Sequence, residues 1–366
     1  MSLRLLHTAD VHLDAPFRWL GSRGNEQRRQ LRETFRSVVD LALERRVDAF
    51  LVAGDLFDSN SPSQDTVDLV QSQLQRLTMP VFLLPGTHDC FDNASVYRRL
   101  RLPESNVFLF QGSRTSVPLD SLGLTVHARA NHTKTSSASP LSGLEANPST
   151  RFNVALAHGS LRMPGTVEDF PLTERDVAAA RMDYVALGHW HSYQTCFGGK
   201  ACYSGPPELL DAGGGQGQVL LVELDGGPPK TTRCPVGKRR YEKMELRLDE
   251  VAGTGDIQTR VRVLRDPDLV LGLTLNGLRP LDLIVDAEAL TTELSGAFFA
   301  VKVTDRSHPL LLSEELDGFS EDTVLGQFVR RMRARITETD DEDERRVVES
   351  ALQFGVALLQ GKKVLR

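Results

Sequence analysis

The chain has 366 residues, 40% of them hydrophobic and 25% charged, with a formal net charge of −6 at pH 7. At about 150 residues per domain this predicts two domains, or one large domain with appendages, and a core of substantial size. The negative balance argues against a general polyanion-coating role but leaves room for a nucleic acid gripped locally through metals and basic patches, and four cysteines without a C-x-x-C pair argue against a disulfide scaffold or a zinc ribbon.

The N-terminal stretch "MSLRLLHTADVHLD" is too polar for a signal peptide, and no apolar run approaches the roughly 20 residues of a membrane span, so a reduced, cytoplasmic protein with no membrane partner is expected. "LRLLHTADVH" reads as a strand ending in polar residues. The stretch "QRRQLRETFRSVVDLALERR" places Leu31, Phe35, Val38, Val39, Leu41 and Ala42 at helical spacing with charges opposite. "VDAFLVAGDLFD" is a second strand, "DTVDLVQSQLQRL" a second helix and "PVFLLPGTHD" a third strand. This β-α-β-α-β order predicts an α/β fold with helices flanking a sheet.

Residues 133–150, rich in Ser, Pro and Gly, predict an exposed loop. "FNVALAHGS" and "DYVALGHWHS" are two further strands, and Gly213–Gly217 reads as the turn of a hairpin, since no Lys-Ser/Thr follows to make a phosphate loop. A change of texture near "DGGPPKTTRCPVGKRR" suggests a division into residues 1–235, a small α+β domain over 236–310 with strands in "KMELRL" and "LDLIVD", and a helical segment over 311–366. That segment carries two amphipathic helices, the first apolar at Val324, Leu325, Phe328, Val329, Met332 and Ile336; the acidic run Asp340–Glu344 between them reads as a solvated turn.

The ends of the strands carry the chemistry. Asp10 and His12 follow the first strand, Asp55 the second, His88 the third, His158 the fourth, and His189 and His191 the fifth. Any one of them is an ordinary turn residue, but accidents at five successive strand ends multiply to a very low probability, whereas one functional cluster accounts for all. Aspartates and histidines without thiolates suit Mn²⁺, Fe²⁺ or Zn²⁺, and seven such side chains exceed what one catalytic metal needs and suffice for two.

As an ordered set, "DVH", "GDLFD", "GTHD", "HGS" and "GHWH" resemble the five motifs of the calcineurin-like metallophosphoesterases. "LLHTADVHLD", "LVAGDLFDS" and "DYVALGHWHS" are similar to the DNA-repair exonuclease branch, with its bacterial SbcD nuclease subunit and YhaO-like proteins. The resemblance implies a four-layer sandwich, two mixed β-sheets flanked by helices, followed by a small α+β cap and C-terminal helices. It implies two divalent metal ions, foremost Mn²⁺, one held by Asp10, His12 and His191 and the other by His158 and His189, with Asp55 bridging and His88 as general acid or transition-state stabiliser. It implies phosphodiester hydrolysis by a metal-bridging hydroxide, DNA as substrate, an SMC-like ATPase partner on the C-terminal helices, and possible homodimers. One position departs from the pattern: Thr87 stands where the family has the Asn ligand of the second metal, which predicts a weakened second site. A small-molecule phosphodiesterase or phosphatase, or a catalytically attenuated scaffold subunit, are the alternatives. Basic clusters at Arg98-Arg99-x-Arg101, Lys238-Arg239-Arg240 and Arg330-Arg331-x-Arg333-x-Arg335 are candidate DNA contacts or plain solvated charge.

Overall fold

Strong alternation of apolar runs with amphipathic helices makes a layered α/β unit, seen here in a computed structural model that describes residues 2–162, 169–211, 215–279 and 283–361. The strands are β1 (Leu3–Thr8), β2 (Ala49–Ala53), β3 (Val81–Leu84), β4 (Val107–Leu109), β5 (Ser116–Leu119), β6 (Leu124–Ala128), β7 (Phe152–His158), β8 (Tyr184–Gly188), β9 (Gln194–Cys196), β10 (Ala201–Tyr203), β11 (Gly215–Leu224), β12 (Lys230–Arg247), β13 (Asp266–Asn276), β14 (Leu278–Arg279), β15 (Phe298–Asp305) and β16 (His308–Pro309). The helices are α1 (Gly24–Glu44), α2 (Gln64–Gln75), α3 (Glu174–Ala180), α4 (Thr254–Arg262), α5 (Ala287–Leu294), α6 (Ser313–Asp317), α7 (Val324–Glu338) and α8 (Glu342–Leu359). The chain divides into two units, Met1–Arg240 and Tyr241–Arg366.

The first unit holds two mixed sheets. One runs β12-β11-β1-β2-β3-β4 and the other β5-β6-β7-β8-β10-β9. β1 to β4 are mutually parallel, with β11 antiparallel to β1. In the second sheet β6, β7, β8 and β10 are parallel, with antiparallel β5 and β9 at the edges. Leu5, Leu51, Phe82 and Leu84 from the first sheet meet Val126, Val154, Leu156 and Tyr184 from the second in one buried layer. Strands covered on both faces read as continuous apolar runs, which is why β2, β3, β7 and β8 are wholly buried. α1 buries Leu31, Phe35, Val38, Val39 and Ala42 of the residues its periodicity singles out, while Leu41 is half-buried. The fold is the α/β sandwich of two mixed sheets flanked by helices, with C-terminal helices present. Its layering brings the carboxyl ends of β1, β2, β3, β7 and β8 together, because β2 packs across β7 and β8.

In the second unit, the end of β12 with β13 and β15 forms a sheet covered by α4 and α5 around Leu246, Ile257, Leu271, Leu273 and Leu294. α6, α7 and α8 gather around Leu316, Val329, Leu352 and Val356. Among the described residues no helix is long and apolar enough to cross a membrane.

Four local expectations change. The "DGGPPKTTRCPVGKRR" stretch lies largely in the 18-residue strand β12, since its Thr, Val and Arg alternation suits a pleated ribbon better than a linker. Gly213 and Gly214 lie outside the described residues, but Gly215–Gly217 begin β11 instead of making a turn; a Cβ on Gly217 would sit 2.1 Å from the Pro207 carbonyl oxygen, so close strand approach explains that glycine. In "LDLIVD", residues 281 and 282 lie outside the described residues, and 283–286 form no strand: Asp286 caps α5, its side chain accepting from the Glu288 and Ala289 amides at 2.9 and 3.0 Å. The acidic run resolves in the same way. Asp341 caps α8 and Glu342, Asp343 and Glu344 fill its first turn, where the helix dipole favours negative charge.

Candidate metal centre

Each strand ends by turning sharply into the site. Asp10, His12, Asp55 and His189 all have positive φ, at 54°, 48°, 51° and 106°. Such backbone costs a non-glycine residue energy and persists where the surroundings fix it, which is common at functional sites. The amides of Asp10, His12 and Leu13 donate to the carbonyls of Gly54, Asp55 and Leu56, so the first two strand-end loops are zipped together. Gly86 is required by close approach: a Cβ there would lie 2.2 Å from Asp55 Oδ1. Gly54, at φ +97°, would put a Cβ 2.1 Å from His158 Nδ1.

The side chains converge in three overlapping groups whose donor atoms lie within 4.8 Å of one another: Asp10, His12 and His191; His12, Asp55 and His88; Asp10, Asp55 and His158. Asp10, His12 and Asp55 each belong to two groups and join the three into one site. Of the seven expected Asp and His positions, His189 stands apart from these groups. Its ring lies edge-on to that of His158, centroids 5.2 Å apart, while its amide donates to Asp10 Oδ1 and Oδ2 at 2.9 and 3.1 Å. Thr87 is buried, and its hydroxyl donates to Asp55 Oδ2 at 3.3 Å and lies 3.5 Å from His158 Nε2.

The hydrogen bonds fix which nitrogen of each imidazole faces inward. His158 Nδ1 lies 2.9 Å from the Ala53 carbonyl oxygen, which can only accept, so Nδ1 carries hydrogen and Nε2 faces Asp55 Oδ2 at 3.1 Å. His12 Nδ1 points at Asp58 (3.2 Å) and His191 Nδ1 at Asp211 (2.8 Å), which leaves their Nε2 atoms facing each other at 3.2 Å. Two lone pairs at that separation need a proton or a cation between them. The residues therefore fit divalent cations: neutral imidazoles oriented by carboxylates, converging on buried carboxylates.

Electrostatics point the same way. Burial raises Asp10, with His158 and His191 opposing. Asp55 is held below its ordinary range; burial opposes this, and His158 and His12 outweigh it. His158 is pushed up to about 9, the penalty of burial being exceeded by Asp55 and Asp10. His189 is pushed down to about 4 by burial and by His158.

His88 is half-exposed at the mouth of the site. Its Nδ1 is 3.1 Å from the Asp58 carbonyl oxygen, and its amide donates to Asp55 Oδ1 at 2.8 Å. Asp89 is fully buried and accepts from the Gly86 and Phe57 amides (2.7 and 3.1 Å) and the Tyr97 hydroxyl (2.6 Å), which pins the turn carrying Thr87 and His88. Burial and the nearby Asp55 raise its carboxyl to about 6. Asp58, Asp89 and Asp211 are the residues that sequence reasoning passed over. The first two were visible as the last letters of "GDLFD" and "GTHD"; Asp211, twenty positions beyond His191, had no local signal. Of the basic clusters, Lys238–Arg240 is partly structural: Arg239 is buried and bonds Glu26 at 2.8 Å, while the Lys238 and Arg239 amides donate to buried Glu208.

Residues 3–193 match the family model described as calcineurin-like phosphoesterase. The chain is 28% identical over 210 residues to the uncharacterized metallophosphoesterase YhaO of Bacillus subtilis (strain 168), covering 52% of this chain and 49% of that protein. It is 26% identical over 388 aligned positions to the DNA double-strand break repair protein Mre11 of Methanopyrus kandleri, covering 96% and 82%. Against the Mre11 protein of Methanosarcina acetivorans it is 27% identical over 267 residues, 68% of this chain and 41% of that one. The chain thus spans about half the length of YhaO. A solved structure, TT1561 of Thermus thermophilus, aligns with a TM-score of 0.39 and 14% identity over 64% of this chain and all of the other.

Proposed function

Because the chain belongs to the calcineurin-like phosphoesterase family of metal-dependent phosphoesterases, we propose that it is a two-metal phosphodiesterase and that its substrate is DNA. The observation that carries the two-metal reading is the sharing of Asp10, His12 and Asp55 among three donor groups. Asp10, His12 and His191 would hold one cation and His158 with His189 the other, Asp55 serving both. Two such cations supply Lewis acidity toward a phosphoryl group and acidify water, for which pKa values near about 7 are attainable.

The protein's own residues divide the remaining work. Asp58 and Asp211 hold His12 and His191 in the tautomer that offers Nε2 inward. His88, with Nδ1 committed to the Asp58 carbonyl, presents Nε2 as the atom that exchanges a proton; protonated, it donates to the departing oxygen. Asp89 and Tyr97 fix the turn from which it acts. Thr87 supplies a hydroxyl between Asp55 and His158, a shorter and weaker donor than an amide oxygen, which favours an attenuated second site.

DNA is favoured over a small phosphodiester by the Mre11 relatives, named for double-strand break repair, one of which aligns across 96% of this chain. The resemblance of the motifs to the DNA-repair exonuclease branch supports an SMC-like ATPase docking on α7 and α8, whose Val324, Val347, Leu358 and Leu359 side chains are exposed. The test is turnover of Mn²⁺-loaded protein on single- and double-stranded DNA, a cyclic nucleotide, a phosphomonoester and an aryl phosphodiester. DNA cleavage exceeding the others supports the reading. Preference for the cyclic nucleotide or monoester replaces DNA with a small molecule, and no turnover on any of them leaves only a scaffold.

A further inference from the structure

Beside the proposed metal centre lies a cavity of about 390 Å³, lined by His12, His88 and His191 together with Pro16, Trp19 and Leu210. Trp19 is 47% exposed, an unusual position for the largest apolar side chain. It joins neither hydrophobic core of its unit, whereas the protein's other tryptophan, Trp190, stacks on Tyr203 at 5.0 Å within one of them. Trp19 is nevertheless held in place. Its indole N–H donates to the Leu210 carbonyl at 3.3 Å, and Leu210 is itself buried. The turn that presents it, Arg18–Arg23, starts from Phe17 in the left-handed region at φ 47°, a backbone cost that the loop retains. Next to it Arg18 is exposed, lines the same cavity and has no ion pair or hydrogen bond among the described residues.

A fixed aromatic face and a guanidinium with no ion pair among the described residues, lining one cavity with the proposed phosphoryl-transfer residues, match the two halves of a nucleotide. We propose that this cavity is a nucleobase subsite, in which an unpaired base next to the scissile phosphate stacks on Trp19 and Arg18 meets an adjoining phosphate. The inference rests on the phosphodiesterase reading and sharpens it to a substrate class: single-stranded nucleic acid or a frayed end, because a paired base within a duplex has both faces covered by its neighbours. Stacking of a base on an aromatic side chain tolerates any base, so the subsite adds affinity without sequence preference.

The experiment compares wild type, Trp19→Ala and Trp19→Phe, loaded with Mn²⁺, on an oligothymidylate and on a fully abasic strand of the same length. Removing the ring should raise KM on oligothymidylate about 10-fold with kcat within about 2-fold, since uniform binding is lost. Trp19→Phe should stay within about 3-fold of wild type, and none of the variants should differ on the abasic strand. An unchanged KM for Trp19→Ala, or an equal rise on both strands, overturns the subsite. A second readout needs no turnover: in chelator, oligothymidylate should quench the tryptophan emission of wild type but not of Trp19→Phe, and the abasic strand should quench neither. Equal quenching of both proteins, or none, overturns the proposal. A wild type that cleaves neither strand defeats the reading of single-stranded DNA as substrate, and the quenching result then decides the subsite independently.

Discussion

His12 and His191 show why single residues here are best understood through their partners. Each ring is turned by a carboxylate on Nδ1, so that the Nε2 atoms converge. Asp211→Asn replaces an anionic acceptor by an amide and should weaken Mn²⁺ binding about 10-fold or more, as loss of an outer partner of a metal-ligating His typically does; isothermal titration against wild type measures it, and unchanged affinity would remove Asp211 from the site. Thr87→Asn places an amide oxygen where the hydroxyl bridges Asp55 and His158. On the attenuated-site reading it raises both Mn²⁺ occupancy and the rate, while a fall in both would mean that the pocket has been rebuilt around the hydroxyl. His88→Ala removes the proposed proton donor and should lower kcat about 10²–10⁴-fold with metal content intact; a kcat near wild type would exclude that role. These side chains were legible because Asp and His recur at successive strand ends. The orienting acids were less so, since proximity across twenty or more residues is a property of the folded chain.

At the scale of elements, the parallel strands of the first unit were legible as apolar runs because both of their faces are covered. β13 and β15 were missed because their runs are flanked by charged and polar residues that resemble loop, and of β12 only the end, in "KMELRL", was legible as a strand because Pro235 and Gly237 suggest a break that the ribbon accommodates. The two sheets of the first unit are also tied by a polar contact that no pattern announces: His7 on β1 places Nδ1 2.9 Å from the Tyr184 hydroxyl on β8, both fully buried. Burial lowers His7 to about 3. The unfolded chain therefore takes up this proton near pH 6.5 and the folded chain only near 3. Stability contributed by the neutral ring is intact above about pH 6.5 and is lost as pH falls toward 3, by up to about 1.4 kcal/mol per pH unit across that window. Urea unfolding from pH 7 to 4 should give a smaller loss for His7→Gln than for wild type, and equal slopes would contradict the assignment.

For the whole molecule, one arrangement links fold to function: parallel strands in two stacked sheets end at the same place, and that place gathers two buried carboxylates and the imidazoles around them. The family was legible from five short motifs because they are those strand ends. The aromatic wall was not, because Trp19 and Leu210 come together only through the loops after β1 and β10. The most direct test of a two-cation phosphodiesterase is the rate of phosphodiester hydrolysis as Mn²⁺ is added to metal-free protein in measured equivalents. The account predicts negligible turnover through the first equivalent and a rise as the second binds. Saturation at one equivalent, or no hydrolysis at any Mn²⁺ concentration, would contradict it.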